Sequence, residues 1–309
     1  MRQTSTVRVA LVQLTSSPDV AANRATVARM LERAAEVGPD LVVLPELWHC
    51  LGSARAQRDA AEPLDGPTVS WLRGRAADLG SWLVAGSIVE RLPHRTDRVA
   101  NTCLVLDGAG QLRATYRKIH LFDCAVPGAE LAESDTFVAG DQPVVVDIAG
   151  VPCGLAICYD LRFPELFGAL ASAGARVVVV PAAFTARTGR DHWELLVRAR
   201  AIDSQTFVVA ADQCGSSSST LHWHGGSIAV DPWGTVLGQA GSDEGVTVVD
   251  LSLGEVDRVR ASLPVLEHRR PDVLAPVTVS GGRATGGPAM GGPAMGGRAT
   301  GGATGWTAG

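Results

Sequence analysis

Apolar and polar positions alternate along this chain with two different periods. Residues 7–14, Val-Arg-Val-Ala-Leu-Val-Gln-Leu, alternate strictly enough to predict a strand. Residues 19–37 repeat their apolar positions at helical spacing, and Gly38-Pro39 stops them, so a helix is expected there. A short apolar run at 41–44 follows, then a helical pattern at 67–79 closed by Gly80, then a strand pattern at 82–87. This strand, helix, strand order predicts a layered α/β fold.

The middle of the chain changes to hairpin signals. Residues 102–106 and 111–116 flank the turn Asp107-Gly108-Ala109-Gly110, and residues 144–148 turn at Ala149-Gly150 into 151–157. The sheet is therefore expected to be mixed. A second αβ stretch follows, with helices at 165–173 and 191–204 and strands at 177–180 and 207–211. The turn Asp231-Pro232-Trp233-Gly234 then joins two more short strands. After residue 275 the chain repeats Gly-Gly with Pro-Ala-Met or Arg-Ala-Thr, which is too poor in apolar content to offset the entropy of ordering. The expected organisation is one domain over 1–275 and a disordered low-complexity tail over 276–309.

Length alone leaves one large α/β domain or two average ones open. The formal charge of −5 comes from interleaved acids and bases, with no basic patch to neutralise phosphates, so nucleic acid is not an expected partner. No apolar run is long enough to span a bilayer, and the N-terminus enters the first strand pattern without a signal-peptide pattern. A cytoplasmic protein without membrane attachment is expected. The six cysteines form no CxxC pair or regular framework, which suits buried small residues plus one reactive thiol better than disulfides. The bases are biased: Lys118 is the only lysine in a chain that otherwise uses arginine. An ammonium is a compact point charge and a guanidinium is a broad fork, so the exception points to a role for Lys118.

Cys158 ends the apolar stretch Gly154-Leu155-Ala156-Ile157, and the chain then passes through Tyr159-Asp160-Leu161-Arg162-Phe163-Pro164 into a helix. Such a strand-to-helix elbow projects a nucleophile and leaves the next backbone N–H to bind an oxyanion. Glu46 follows the apolar run at 41–44, and Lys118 follows the strand at 111–116. Strand ends on one edge of an α/β sheet are where ligand sites form. The set is chemically coherent, with a thiol, a carboxylate to take its proton and an ammonium to stabilise thiolate and oxyanion.

These motifs resemble those of the carbon–nitrogen hydrolase (nitrilase) superfamily, whose hallmark is a Glu–Lys–Cys triad. The neighbourhoods are Leu-Pro-Glu46, Tyr-Arg-Lys118-Ile-His-Leu-Phe-Asp and Ile-Cys158-Tyr-Asp-Leu-Arg-Phe-Pro-Glu, and the similarity runs from Val7 to about Val273. The resemblance implies an α-β-β-α sandwich with a mixed sheet pair and assembly as a homodimer or larger homo-oligomer. It also implies Glu46 as general base, Lys118 as oxyanion stabiliser, Cys158 as nucleophile and Tyr159 as a backbone oxyanion donor. A second glutamate beside the site is implied too. Glu133 matches it better, within Glu-Ser, and Glu130 stays open.

The form Cys-Tyr-Asp-Leu-Arg-Phe-Pro-Glu resembles the Nit branch, which hydrolyses amides of carboxylate-bearing substrates. Deaminated glutathione and ω-amides such as 2-oxoglutaramate are the expected substrate types. Arg162 is then the natural carboxylate clamp, because its planar fork suits bidentate binding, with a structural ion pair as the competing role. Phe184 and Thr188 are expected in the same pocket. An N-carbamoyl amino acid amidohydrolase or nitrilase, and a non-catalytic binding protein on the same fold, are the alternatives. His222 and His224 lack ligand-spaced acidic or cysteine partners, so neither metal nor cofactor is expected. His120 and His192 are expected as pocket or structural hydrogen-bonding residues.

Overall fold

The computed structural model describes residues 6–95, 97–127, 130–217 and 221–273. The tail expected after 275 lies outside the described residues. The segment up to His268 forms one compact unit. Of the chain from Arg269 onward, the described part is a short segment with a 3-10 turn at Pro271–Val273 and an Arg270–Asp272 ion pair.

In chain order the elements begin with β1 (Thr6–Gln13), α1 (Val20–Ala35), β2 (Leu41–Val43), α2 (Ala54–Asp59), α3 (Pro67–Leu79) and β3 (Trp82–Glu90). They continue with β4 (Ala100–Leu106), β5 (Leu112–Arg117), β6 (Asp123–Cys124), β7 (Leu131–Ala132), β8 (Val144–Ile148) and β9 (Val151–Leu155). Next come α4 (Pro164–Ser172), β10 (Val177–Ala182), α5 (Ala186–Ser204) and β11 (Phe207–Asp212). The unit closes with β12 (Ile228–Val230), β13 (Val236–Gln239), β14 (Gly245–Ser252), α6 (Gly254–Ser262) and α7 (Val265–His268).

Two six-stranded sheets result, ordered β14-β1-β2-β3-β4-β5 and β13-β12-β11-β10-β9-β8. Each has three parallel strands, β1, β2 and β3 in one and β9, β10 and β11 in the other, extended by antiparallel neighbours. Both sheets are mixed because hairpins supply β5 and β8, as the Asp107–Gly110 and Ala149-Gly150 turn signals predict, and because β14 returns antiparallel along β1. Asp107 closes the first turn by accepting from Ala109 and Gln111 N–H, and Ala149 and Gly150 turn the second with φ of +54° and +82°.

The strand period decides the layering. Val9 and Leu11 of β1, Val43 of β2 and Val105 of β4 share one buried cluster with Leu155, Val179 and Val209 of the second sheet, so the sheets pack face to face. Ala10, Val12, Val42 and Leu104 point the other way, onto Val27 and Leu31 of α1 and Leu72 of α3. On the far side, Phe167 and Leu170 of α4 and Trp193 and Val197 of α5 cover the second sheet. The architecture is the α-β-β-α sandwich.

Several boundaries differ from the sequence expectation. Helix α5 starts at Ala186, not at 191, and so includes Gly189. It lies in the first turn, where a Cβ would fall 2.4 Å from the side chain of His224. Helices α2 and α6 and strand β14 carry short or weakly periodic patterns and were not anticipated. Ser53 caps α2 by accepting from the Ala56 N–H at 3.2 Å.

Candidate active site

Glu46, Lys118 and Cys158 all lie just beyond the C-terminal ends of strands, after β2, β5 and β9. The sheets are joined at this end. Gln213 donates to the Glu46 carbonyl at 2.9 Å and accepts from Ser16 N–H at 3.0 Å, while Glu46 N–H reaches the Ala182 carbonyl at 3.2 Å. The resulting cavity has about 750 Å³ and is lined by Glu46, Lys118, Glu133 and Cys158 together.

Two turns in this corner carry non-glycine residues with positive φ, Leu47 at +51° and Cys158 at +47°. That conformation is uncommon for such residues and persists only where neighbours over-determine it. Leu47 N–H is held by Ser87 Oγ at 2.9 Å. Gly86, with φ +56°, lets the backbones approach so closely that a Cβ would fall 2.0 Å from the Pro45 carbonyl oxygen. At the other turn Asp160, fully buried, accepts Ile157 N–H at 2.8 Å and Tyr116 O–H at 2.7 Å on one oxygen. On its other oxygen it takes His120 N–H at 3.1 Å and contacts His120 Nδ1 at 2.7 Å. Tyr116 and His120 flank Lys118 by two residues on either side. One carboxylate therefore ties the lysine segment to the cysteine turn.

Lys118 and Glu46 are each 1% exposed. Lys118 Nζ donates to Glu46 Oε1 at 2.8 Å and lies 2.9 and 2.8 Å from the two oxygens of Glu133. Glu46 Oε1 also accepts from Asn101 Nδ2 at 2.7 Å, and Oε2 accepts from Ala183 N–H at 2.8 Å. Glu133 Oε2 accepts from Phe122 N–H at 2.7 Å. The structure thus brings Glu133 onto Lys118, while Glu130 lies elsewhere on the cavity wall.

Burial dominates the electrostatics. It pushes the Cys158 thiol well above its ordinary range, helped by Glu46 and opposed by Lys118, so the resting group is a thiol. Burial alone would draw the Lys118 ammonium toward neutrality, but Glu133 and Glu46 outweigh it and hold the proton well above the usual lysine range. Burial also raises Glu133, against the pull of Lys118. A thiol, two carboxyl groups and a lysine amine in one dry corner suit nucleophilic attack on a carbonyl with stabilisation of the oxyanion.

Beside Cys158 a second, narrow cleft of about 10 Å³ is lined by Tyr159, Phe184 and Thr188, with Phe122, Ala183 and Thr185. Thr188 Oγ1 bonds Thr185 Oγ1 at 2.9 Å. Arg162 lines neither space. Its guanidinium lies over the Tyr159 and Phe184 rings, 5.8 and 5.5 Å from their centroids, and meets His192 Nδ1 at 3.2 Å. Among the described residues no carboxylate pairs with it.

Asn101 and Asp160 were missed in the sequence, although signals existed. Asn101 is a lone amide in the apolar strand β4, and Asp160 stands two residues after the nucleophile candidate. Asp212 was missed as well. It is buried at the end of β11, accepts Phe184 N–H at 2.8 Å on Oδ1, and leaves Oδ2 without a partner among the described residues.

Two fused sheets with an acid, a lysine and a thiol at their joined strand ends define a class of hydrolase, and comparison agrees. Residues 8–261 match the carbon-nitrogen hydrolase family, and the chain belongs to it. Within the family it falls in the Nit branch. A deaminated glutathione amidase of Bos taurus is 39% identical over 272 residues, 86% of this chain and 82% of the relative. The omega-amidase NIT2 of Mus musculus is 37% identical over 87% of this chain and 97% of the relative. Crystalline Nit3 of Saccharomyces cerevisiae, a member of branch 10 of the nitrilase superfamily, superposes with a TM-score of 0.78 at 35% identity, covering 86% of this chain and 97% of that one. The chain is an amidase, a hydrolase of carbon–nitrogen bonds other than peptide bonds.

Proposed function

We propose that Cys158 attacks the carbonyl of a small amide whose acyl half carries a carboxylate, as in 2-oxoglutaramate and deaminated glutathione. Glu46 takes the thiol proton as the sulfur–carbon bond forms. The Lys118 ammonium and the Tyr159 backbone N–H stabilise the oxyanion, and Glu133 holds the ammonium in place. The carbon–nitrogen bond then breaks, Glu46 returns the proton to the departing nitrogen, and water hydrolyses the thioester by the same base.

The observation that carries this reading is the convergence of Glu46, Lys118 and Glu133 on the cavity of Cys158. The acyl assignment is supported by Arg162, a guanidinium without an acid partner among the described residues, behind the Tyr159–Phe184 cleft. As it stands that cleft admits roughly one water, so an acyl chain requires a ring to turn aside. Phe184 and Thr188 then form its walls. Steady-state assays of 2-oxoglutaramate and deaminated glutathione beside butyramide, an N-carbamoyl amino acid and a nitrile test the assignment. Turnover of either carboxylate-bearing amide is expected. Turnover confined to the other three would overturn it.

The six cysteines, all unpaired, support a reducing cytoplasmic setting. Among the described residues no helix is long and apolar enough to cross a membrane. A homodimer is supported by Leu195 and Ile202 of α5 and the neighbouring Trp233, which are 67%, 48% and 58% exposed. Light scattering of wild-type and Ile202→Glu protein checks this. A monomeric wild type would remove it.

A further inference from the structure

An acyl chain can enter the cleft beside Cys158 only if one of its rings moves, because that cleft holds about 10 Å³ as it stands. Three rings line it, those of Phe122, Tyr159 and Phe184. Phe184 has no room to move. It is 4% exposed, packs on the Trp193 ring at 5.2 Å between centroids, and lies under the Arg162 guanidinium at 5.5 Å. Its N–H is bonded to Asp212 at 2.8 Å. Tyr159 belongs to the 3-10 turn Cys158–Arg162 that carries the nucleophile. Its ring is wedged edge-on between Phe122 at 4.9 Å and Phe163 at 5.3 Å, with Arg162 over its face. Phe163 is in turn stacked on His120 at 3.6 Å.

Phe122 differs from both. It is half-buried, and Tyr159 is its only ring neighbour among the described residues. Of the described aromatic side chains it alone lines both the cleft and the chamber of about 750 Å³, so open space lies on its other side. Its main chain is fixed: the N–H donates to Glu133 Oε2 at 2.7 Å, and the carbonyl accepts from Glu133 N–H at 3.3 Å. Rotation about the side-chain bonds is therefore enough to carry the ring from cleft to chamber, a change between staggered rotamers that leaves Glu133 on Lys118. The space so opened is one ring wide. With Phe184 and Tyr159 held as the remaining walls, it fits an unbranched chain and rejects a branched one.

We infer that Phe122 is the movable wall of the acyl cleft, and that its swing into the chamber restricts this amidase to substrates with unbranched acyl halves. This rests on the proposed placement of the acyl half in that cleft. Glu46 lines the chamber and not the cleft, so the nitrogen it protonates leaves through the chamber and the acyl half is left to the cleft. The acyl halves of 2-oxoglutaramate and deaminated glutathione are unbranched chains of the kind this opening passes.

The test pairs glutaramate with 3,3-dimethylglutaramate and, without the carboxylate, butyramide with 3,3-dimethylbutyramide. In whichever pair is hydrolysed, wild-type kcat/KM should favour the unbranched member by about tenfold or more. Phe122→Ala should shrink that preference about tenfold or more, and Phe122→Leu by less, the leucine variant serving alone should the alanine variant not fold. Hydrolysis of the uncharged pair only would refute the carboxylate assignment while still reading the movable wall. A preference that neither substitution moves, in protein that still turns over, overturns the inference and leaves the substrate assignment standing. The swing itself is read by fluorine-19 NMR of Cys158→Ala protein grown on 4-fluorophenylalanine, with the resonances of residues 122 and 184 assigned through Phe122→Leu and Phe184→Leu. Millimolar glutaramate, or butyramide where only the uncharged pair is hydrolysed, should displace the resonance of residue 122 more than that of residue 184. A larger displacement at 184, or none at either, overturns Phe122 as the moving ring.

Discussion

The two ends of the cavity are built on opposite principles. In the catalytic corner every side-chain oxygen and nitrogen of Glu46, Lys118 and Glu133 has a partner, and two strained turns are pinned by Ser87 and Asp160. At the chamber end the wall comes from the short helix α2, from residues 130–137 and from Ser217, Leu221 and Trp223, part of it exposed, and Trp223 Nε1 is buried without a partner among the described residues. Chemistry that needs sub-ångström placement sits where each reacting group is held by several bonds, and substrate choice sits where the wall is more open. Substitutions in the corner should therefore change rate or stability sharply, whereas those in the chamber should change preference.

The largest effect should come from Lys118→Arg. A guanidinium cannot put its charge where the ammonium bridges Glu46 and Glu133, so turnover should fall about a hundredfold or more with the fold retained. Near wild-type turnover, with unchanged circular dichroism, would end the claim that the corner is rigid. Gly86→Ala comes next, since its Cβ would fall 2.0 Å from the Pro45 carbonyl oxygen beside Glu46. A loss of about 3 kcal/mol is expected, seen as a fall in Tm of roughly 6–12 °C. A Tm within two degrees of wild type, about half a kcal/mol, would mean that the turn yields.

Asp160→Asn sharpens the comparison, because asparagine can still accept from Ile157 and Tyr116 but cannot accept from the His120 N–H with its amide nitrogen. The lysine segment should loosen against the cysteine turn, and kcat should drop about ten- to a hundredfold at nearly constant KM. A change in KM alone would place Asp160 in binding.

The smallest effect is expected for Asp212→Asn, and it is a gain. Burial holds this carboxyl well above the ordinary range, with opposing help from the Phe184 N–H and repulsion from Glu46. As pH rises past the ordinary carboxylate range the unfolded chain releases this proton while the folded chain retains it, so the wild type loses stability with rising pH. Asparagine keeps the Phe184 bond and does not titrate. Tm should rise by roughly 2 °C or more at pH 8 and stay level at pH 4. The opposite pH trend would show an ionised Asp212 in the folded chain.

What could be read in advance follows from where each signal resides along the chain. The strand at Val9 and Leu11, the elbow at Cys158 and the lone Lys118 are local patterns, each legible within a few residues. The first turn of α5, from Ala186, is not legible in the sequence, because what fits Gly189 there is His224, far along the chain, filling the space of its missing Cβ. Asp160 stands beside Cys158 in the sequence, but its partners are Tyr116, on β5 of the other sheet, and His120, in the segment that follows β5.

The sequence by itself determined the alternation of strands and helices, the residue types for thiol chemistry and their positions after apolar strands, because period and residue chemistry are properties of short segments. Only the tertiary structure decided that Glu133 grips Lys118 while Glu130 faces the chamber, that Cys158 rests as a thiol, that Arg162 stacks on Tyr159 and Phe184, and that Trp223 Nε1 is buried without a partner among the described residues. Distances between residues far apart in the chain, and the loss of water around them, exist only once the two sheets have closed on each other.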